Sequence, residues 1–169
     1  MVNITRLIKH LLLPNWLVHL RFKARNLQQI ASAIVSSEKA HDGEIRFAVE
    51  ASLSLKDLWA GSTARDRALD VFSQLRMWDT EHNNGVLIYF LLADHDFEII
   101  ADRGMNVKVT VSEWQVIAQT MEQHCRSGDL TGAVLVGVEV VTALQMRHFP
   151  LTGTTADELS NEPVIVCGK

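Results

Sequence analysis

The stretch GVLIYFLLA, Gly85 to Ala93, runs nine residues without a charge and is flanked on both sides by acids and amides. A half-buried strand alternates apolar and polar positions. This run is apolar at odd and even positions alike, so both of its faces need cover. A central strand with helices on either side meets that need in a water-soluble chain.

The neighbouring patterns supply the rest of such a sheet. Asp94, His95 and Asp96 have turn composition, and Phe97 to Ala101 returns as a second strand, making a hairpin. Upstream, Glu44 to Ala51 alternates charged and apolar residues, which predicts a strand with one polar and one buried face. Helical spacing recurs over Leu27 to Glu38 with Asn26 as cap, over Thr63 to Trp78, from Ser112 through Met121, and over Leu130 to Met146. Sparse charges make the last of these a buried helix. A strand, a crossover helix and a second strand form a parallel pair, and the hairpin adds an antiparallel neighbour. The predicted class is α/β: a small mixed β-sheet, parallel pair plus antiparallel hairpin, sandwiched between helices as α/β/α. The domain spans residues 26–150, between a basic amphipathic arm (1–25) and an acidic tail (151–169) read as mobile.

Charge distribution narrows the partners. Residues 1–25 hold five of the 16 basic side chains and no acid, which leaves 11 bases against 20 acids on the remainder. An acidic body disfavours nucleic acid and directs electrostatic docking to the arm. There, Ile4, Leu7, Ile8, Leu11, Leu12, Trp16, Leu17 and Leu20 interleave with cations around Pro14. Such a segment suits an anionic membrane surface or a membrane protein, and equally an N-terminal helix packed on the domain. Cys125 and Cys167 stand 42 positions apart without metal-type spacing and read as reduced thiols. With no convincing signal peptide and no uninterrupted spanning run, the expected location is cytoplasmic, peripheral to a membrane at most.

Polar residues collect at the strand ends. Asp79, Glu81, Asn83, Asn84 and Asp102, with Glu44 at the start of the first strand, fall at one edge of the predicted sheet, whereas Glu50 and Asp94 fall at the other. Carboxylate and amide oxygens are hard ligands suited to calcium or magnesium, and Arg103 beside them is suited to hold an anion such as a phosphoryl group. The same residues also read as structural: Asn83 and Asn84 in a turn, Asp102 accepting from loop amides, Arg103 pairing with Asp102 or Glu44. The scattered His82, His95, His124 and His148 lack zinc spacing, and no nucleophile elbow or glycine-rich phosphate loop is present.

GEIRFAVEA (43–51), WDTEHNNGVLIYFLLADHDFEIIADRG (78–104) and GDLTGAVLVGVEVV (128–141) resemble the TPM domain. That family is shared by thylakoid-lumen phosphatase-like proteins, bacterial membrane-anchored relatives and stand-alone bacterial proteins of this size. The resemblance covers roughly residues 26–148 and is carried by the GEIR strand, by Asn83, Asn84 and Gly85, and by Asp102, Arg103 and Gly104. It implies an α/β/α sandwich, binding of a divalent cation, calcium in particular, and either an accessory role for membrane complexes or acid phosphatase activity. Two functions follow as expectations: a divalent-cation-binding accessory module docking through residues 1–25, and a metal-dependent phosphomonoesterase in which Asp79, Glu81 and Asp102 hold the ion and Asp102 and Arg103 are the catalytic candidates.

Overall fold

Val86–Leu91 (β2) is buried along its whole length, because its side chains enter two separate cores. Val86, Ile88 and Phe90 point to one side of the sheet and Leu87, Tyr89 and Leu91 to the other, as period-two alternation dictates. The computed structural model describes residues 4–153 and 159–167. β2 pairs in parallel with Ile45–Glu50 (β1) and antiparallel with Asp96–Ala101 (β3), in the register Ile45↔Val86 and Val86↔Ala101. His95 makes the hairpin reversal at φ 53.

The expected three strands gain a fourth. Val164–Val166 (β4) lies parallel to β1, giving the order β3-β2-β1-β4. The segment read as a mobile tail therefore contributes a strand, while its residues 154–158 and 168–169 lie outside the described residues. β1 also departs from expectation. It has no solvent face: only Arg46 is half-exposed, and Glu50 is fully buried.

Helices cover both faces. Ile4–Leu12 (α1) and Trp16–Arg21 (α2) form the arm, followed by Ala24–Glu38 (α3). Leu55–Ala60 (α4) and Ala64–Gln74 (α5) form the crossover between β1 and β2. Arg103–Lys108 (α6), Val111–Arg126 (α7) and Leu130–His148 (α8) follow the hairpin. One core joins Val18 and Phe22 of the arm region to Ile30 and Ile34 of α3, Ile117 and Met121 of α7, and Val134 and Val138 of α8. The second packs α4 and α5 through Leu58, Ala68 and Val71.

The caps explain several boundaries. Thr63 with Asp66, and Thr110 with Glu113, form capping boxes for α5 and α7, and Asp129 accepts the Gly132 amide at the start of α8. The expected caps Ser112 and Asn26 lie inside their helices, and Asn26 instead donates to Thr131 Oγ1 across to α8 at 2.6 Å. α8 is long and apolar enough to cross a membrane by length and composition. Here it packs in the core, with Gly137 brought against Met121 and Ile88.

Candidate functional site

β1 and β2 start, and β3 ends, at the same edge of the sheet. The Val86 amide donates to the Glu44 carbonyl at 2.8 Å and the Asp102 amide to the Gly85 carbonyl at 2.9 Å. Glu44, Asn83, Asn84 and Asp102 are therefore held around one edge, as their positions in the sequence imply.

Two glycines set how tightly these loops close. A Cβ on Gly104 would sit 2.4 Å from the His82 carbonyl oxygen and 2.5 Å from that of Asn83, and one on Gly85 would sit 2.4 Å from the Met77 carbonyl oxygen. These are backbone atoms with no room to yield. Asn83 takes a left-handed conformation at φ 50, which asparagine tolerates, and its carbonyl accepts the Gly104 amide at 2.8 Å. Arg103 Nε donates to Asn83 Oδ1 at 2.9 Å, so the cation expected to hold an anion is tied to the neighbouring loop.

Asn84, almost entirely buried, joins three segments. Its amide donates to Thr80 Oγ1 at 3.2 Å, its Nδ2 donates to the Asp42 carbonyl at 2.8 Å, and its own carbonyl accepts from Gln145 Nε2 of α8 at 2.7 Å. Both donated bonds fix which end of each side-chain amide carries nitrogen. The oxygens Asn84 Oδ1 and Gln145 Oε1 are left buried with no partner among the described residues, as is Asp102 Oδ2. Asp102 Oδ1 meanwhile accepts the Arg103 amide at 2.7 Å and caps α6, which is the structural role expected of it. Buried polar atoms are seldom left unmatched, so three at one edge mark it out. Nothing in the sequence pattern pointed to Gln145, a lone amide inside an apolar helix.

The remaining expected ligands are solvent-facing. Asp79 is half-exposed and pairs with Arg76 Nη2 at 2.5 Å, and Glu81 is exposed. Among the described residues no three His, Cys, Asp or Glu side chains gather as a metal-ligating group. Glu44 is buried beside Arg46, whose own ionisation is depressed by burial and supported by Glu44 and Glu38.

At the opposite edge two further clusters appear. Glu50, fully buried, accepts two bonds from Arg67 of α5 at 2.8 and 3.0 Å and one from Tyr89 Oη at 2.7 Å. The Arg67 pKa is raised by its bond to Glu50, and that of Tyr89 is raised by burial and by the adjacent carboxylate. Asp94 accepts from Arg6 and His10 of α1. Burial opposes its ionisation, but Arg6 and His10 together outweigh burial and hold its carboxyl below the usual range.

The sequence model of the TPM domain matches residues 21–144. The chain belongs to the TPM domain family. This TPM domain is similar in structure to the BA42 protein of the psychrophilic bacterium Bizionia argentinensis, at 30% identity and a TM-score of 0.77, over 86% of this chain and 95% of that one. It is also similar in fold to the N-terminal domain of a protein from P. gingivalis, at 16% identity and a TM-score of 0.57, over 81% and 90% of the two chains. No curated protein matches the chain. The glycines that keep the edge loops of this TPM domain closed, Gly85 and Gly104, belong to the NNG and DRG segments on which the resemblance rests.

Proposed function

We propose that this TPM domain is a divalent-cation-binding accessory module that docks on an anionic membrane surface through its N-terminal arm. The arm is the observation that carries the reading. Its inner side is anchored by His10, Val18 and Phe22, while Ile4, Ile8, Leu11, Leu12, Trp16 and Leu20 stand 50–74% exposed. Lys9, Arg21, Lys23 and Arg25 lie along the same region, and no acid does. Side chains of this kind on an anchored helix bury into the headgroup boundary, with each nearby cation adding about 1 kcal/mol.

The cation half rests on the donor chemistry of the oxygen-rich edge. Asn84 Oδ1, Gln145 Oε1 and Asp102 Oδ2 are hard oxygen donors whose lone pairs are unused, and the Glu44 carboxylate is buried in the same region. That set fits calcium or magnesium. A bound cation would supply positive charge that fixes the loops around residues 80–85 and 102–104. The phosphomonoesterase reading needs Asp79, Glu81 and Asp102 around one ion with Arg103 free beside them. Asp79 is held by Arg76 and Arg103 by Asn83, which favours the accessory reading.

Co-sedimentation of the full chain with phosphatidylglycerol vesicles tests the docking. Binding at low salt that weakens with added salt, and that is lost in the Leu12→Glu, Trp16→Glu variant, is the expected result. Equal recovery with neutral phosphatidylcholine vesicles, or none with either, would overturn it.

A further inference from the structure

α2 divides its side chains three ways. Val18 and Phe22 enter the core, Trp16 and Leu20 face outward, and Leu17 and Arg21, one helical turn apart, face a groove of about 1000 Å³. Its floor is Phe90, Leu92 and Phe97 at the turn end of the hairpin, with the Phe90 and Phe97 rings stacked at 5.5 Å. Its other wall is α7, where Ala118 leaves space between Gln115 and Glu122, and Cys125 closes the end towards Leu130. The floor and the Leu13 and Leu17 side are apolar, whereas the α7 wall sets Ala118 and Cys125 among Gln115, Gln119 and Glu122, and the volume is at the upper end of the range usual for small-molecule sites.

The charges around this groove are unevenly spent. Glu122 is paired with Arg126 at 2.7 Å, and Asp96 Oδ1 accepts the Phe97 amide at 2.9 Å. The Arg21 side chain lines the groove and makes no hydrogen bond or ion pair among the described residues. An apolar floor with one uncommitted guanidinium at its rim is complementary to a molecule with a long hydrocarbon body and a single anionic end.

We propose that the groove binds a free long-chain carboxylate, its acyl chain along Leu17, Phe97 and Ala118 and its carboxylate on Arg21. The site lies at the sheet edge opposite the oxygen-rich loops and depends neither on a cation nor on membrane docking. A ligand seated there touches the inner side of α2, the helix whose outer side carries Trp16 and Leu20.

The two cysteines provide the readout. Cys125 lines the groove and is half-buried, whereas Cys167 is exposed and does not line it, so it serves as an internal control. The full chain is alkylated with iodoacetamide with and without hexadecanoate below its micelle concentration, and each cysteine is followed by mass spectrometry. The expected result is slowed labelling of Cys125 alone, with half-protection shifted about tenfold to higher hexadecanoate in Arg21→Gln. Hexadecanol should protect wild type and Arg21→Gln equally, and Ala118→Trp should abolish protection. Unchanged Cys125 labelling, or equal slowing of Cys167, would overturn the proposal. So would protection by phosphatidylglycerol vesicles equal to that by the free acid, or protection that tracks protein concentration alone, which would assign the groove to a bilayer or to a second copy of the chain.

Discussion

His10 donates from Nε2 to Asp94 Oδ1 at 3.0 Å while its Nδ1 accepts the Leu53 amide at 2.9 Å, so both ring nitrogens are used to fasten the arm to the domain. The Leu53 bond requires a bare Nδ1, which places the proton on Nε2 facing Asp94. Arg6 reinforces the latch with two bonds from Nε and one from Nη2 to the same carboxylate, and a further Nη2 bond to the Ser62 carbonyl.

Asp94→Asn is expected to loosen the arm at a cost of about 1–2 kcal/mol, since the pair is only partly buried. Limited trypsin digestion should cut at Arg21 and Lys23 several-fold faster in the variant than in wild type. The Asp94 carboxyl is held below its ordinary value in the folded chain, so its contribution is complete above that ordinary value of 3.8 and disappears as pH falls through the lowered folded value. The melting-temperature gap between wild type and Asp94→Asn should accordingly be constant near neutral pH and close only in strong acid.

The Glu50 carboxylate has no solvent to return to once its partners are removed. Arg67→Met leaves an uncompensated buried charge and is expected to cost about 3–5 kcal/mol in urea denaturation, with the double variant Glu50→Gln, Arg67→Met recovering much of that loss. Additive losses in the double variant would show that the two side chains act separately.

Gly104→Ala drives a methyl group into the His82 and Asn83 carbonyl oxygens, which belong to backbone and cannot rotate away. A loss of about 1–3 kcal/mol is expected by thermal denaturation. Faster amide exchange at residues 82–85 should accompany it, whereas Gly61→Ala, strained by its φ of 75 but open to solvent, should leave that exchange unchanged.

Calcium should raise the melting temperature of the chelator-stripped wild type by mass action and leave Asp102→Asn unmoved. Gln145→Leu should lose the shift too, because it removes one of the uncommitted oxygens. A shift retained in both variants would place any cation away from this edge.

The central hairpin was legible because nine uncharged residues leave a strand no face for water, and topology then delivers Glu44, Asn83, Asn84 and Asp102 to one edge without any knowledge of side-chain packing. β4 was not, since three residues, VIV, are too few to show a period. α6 was missed because RGMNVK offers six residues, a glycine and no repeat. Alternation assigned Glu50 to solvent, and only the long-range arrival of Arg67 and Tyr89 makes its burial tolerable; the one signal was a tyrosine inside an aliphatic run, whose hydroxyl needs a partner. The pairing of Asp79 with Arg76 is a local i,i+3 contact that strand-end chemistry does not reveal.

β4 pairs with β1 only over Ala48 to Glu50, so among the described residues the half of β1 from Ile45 to Phe47 has no strand beyond it, and it is there that Arg46 sits. A charge on the unpaired half of a border strand is a common guard against unwanted strand addition. The other half is guarded by the chain itself. A protein cut short before Val164 would offer a free row of amide and carbonyl groups to any extended segment, so such a truncation is a route to self-assembly more than to unfolding.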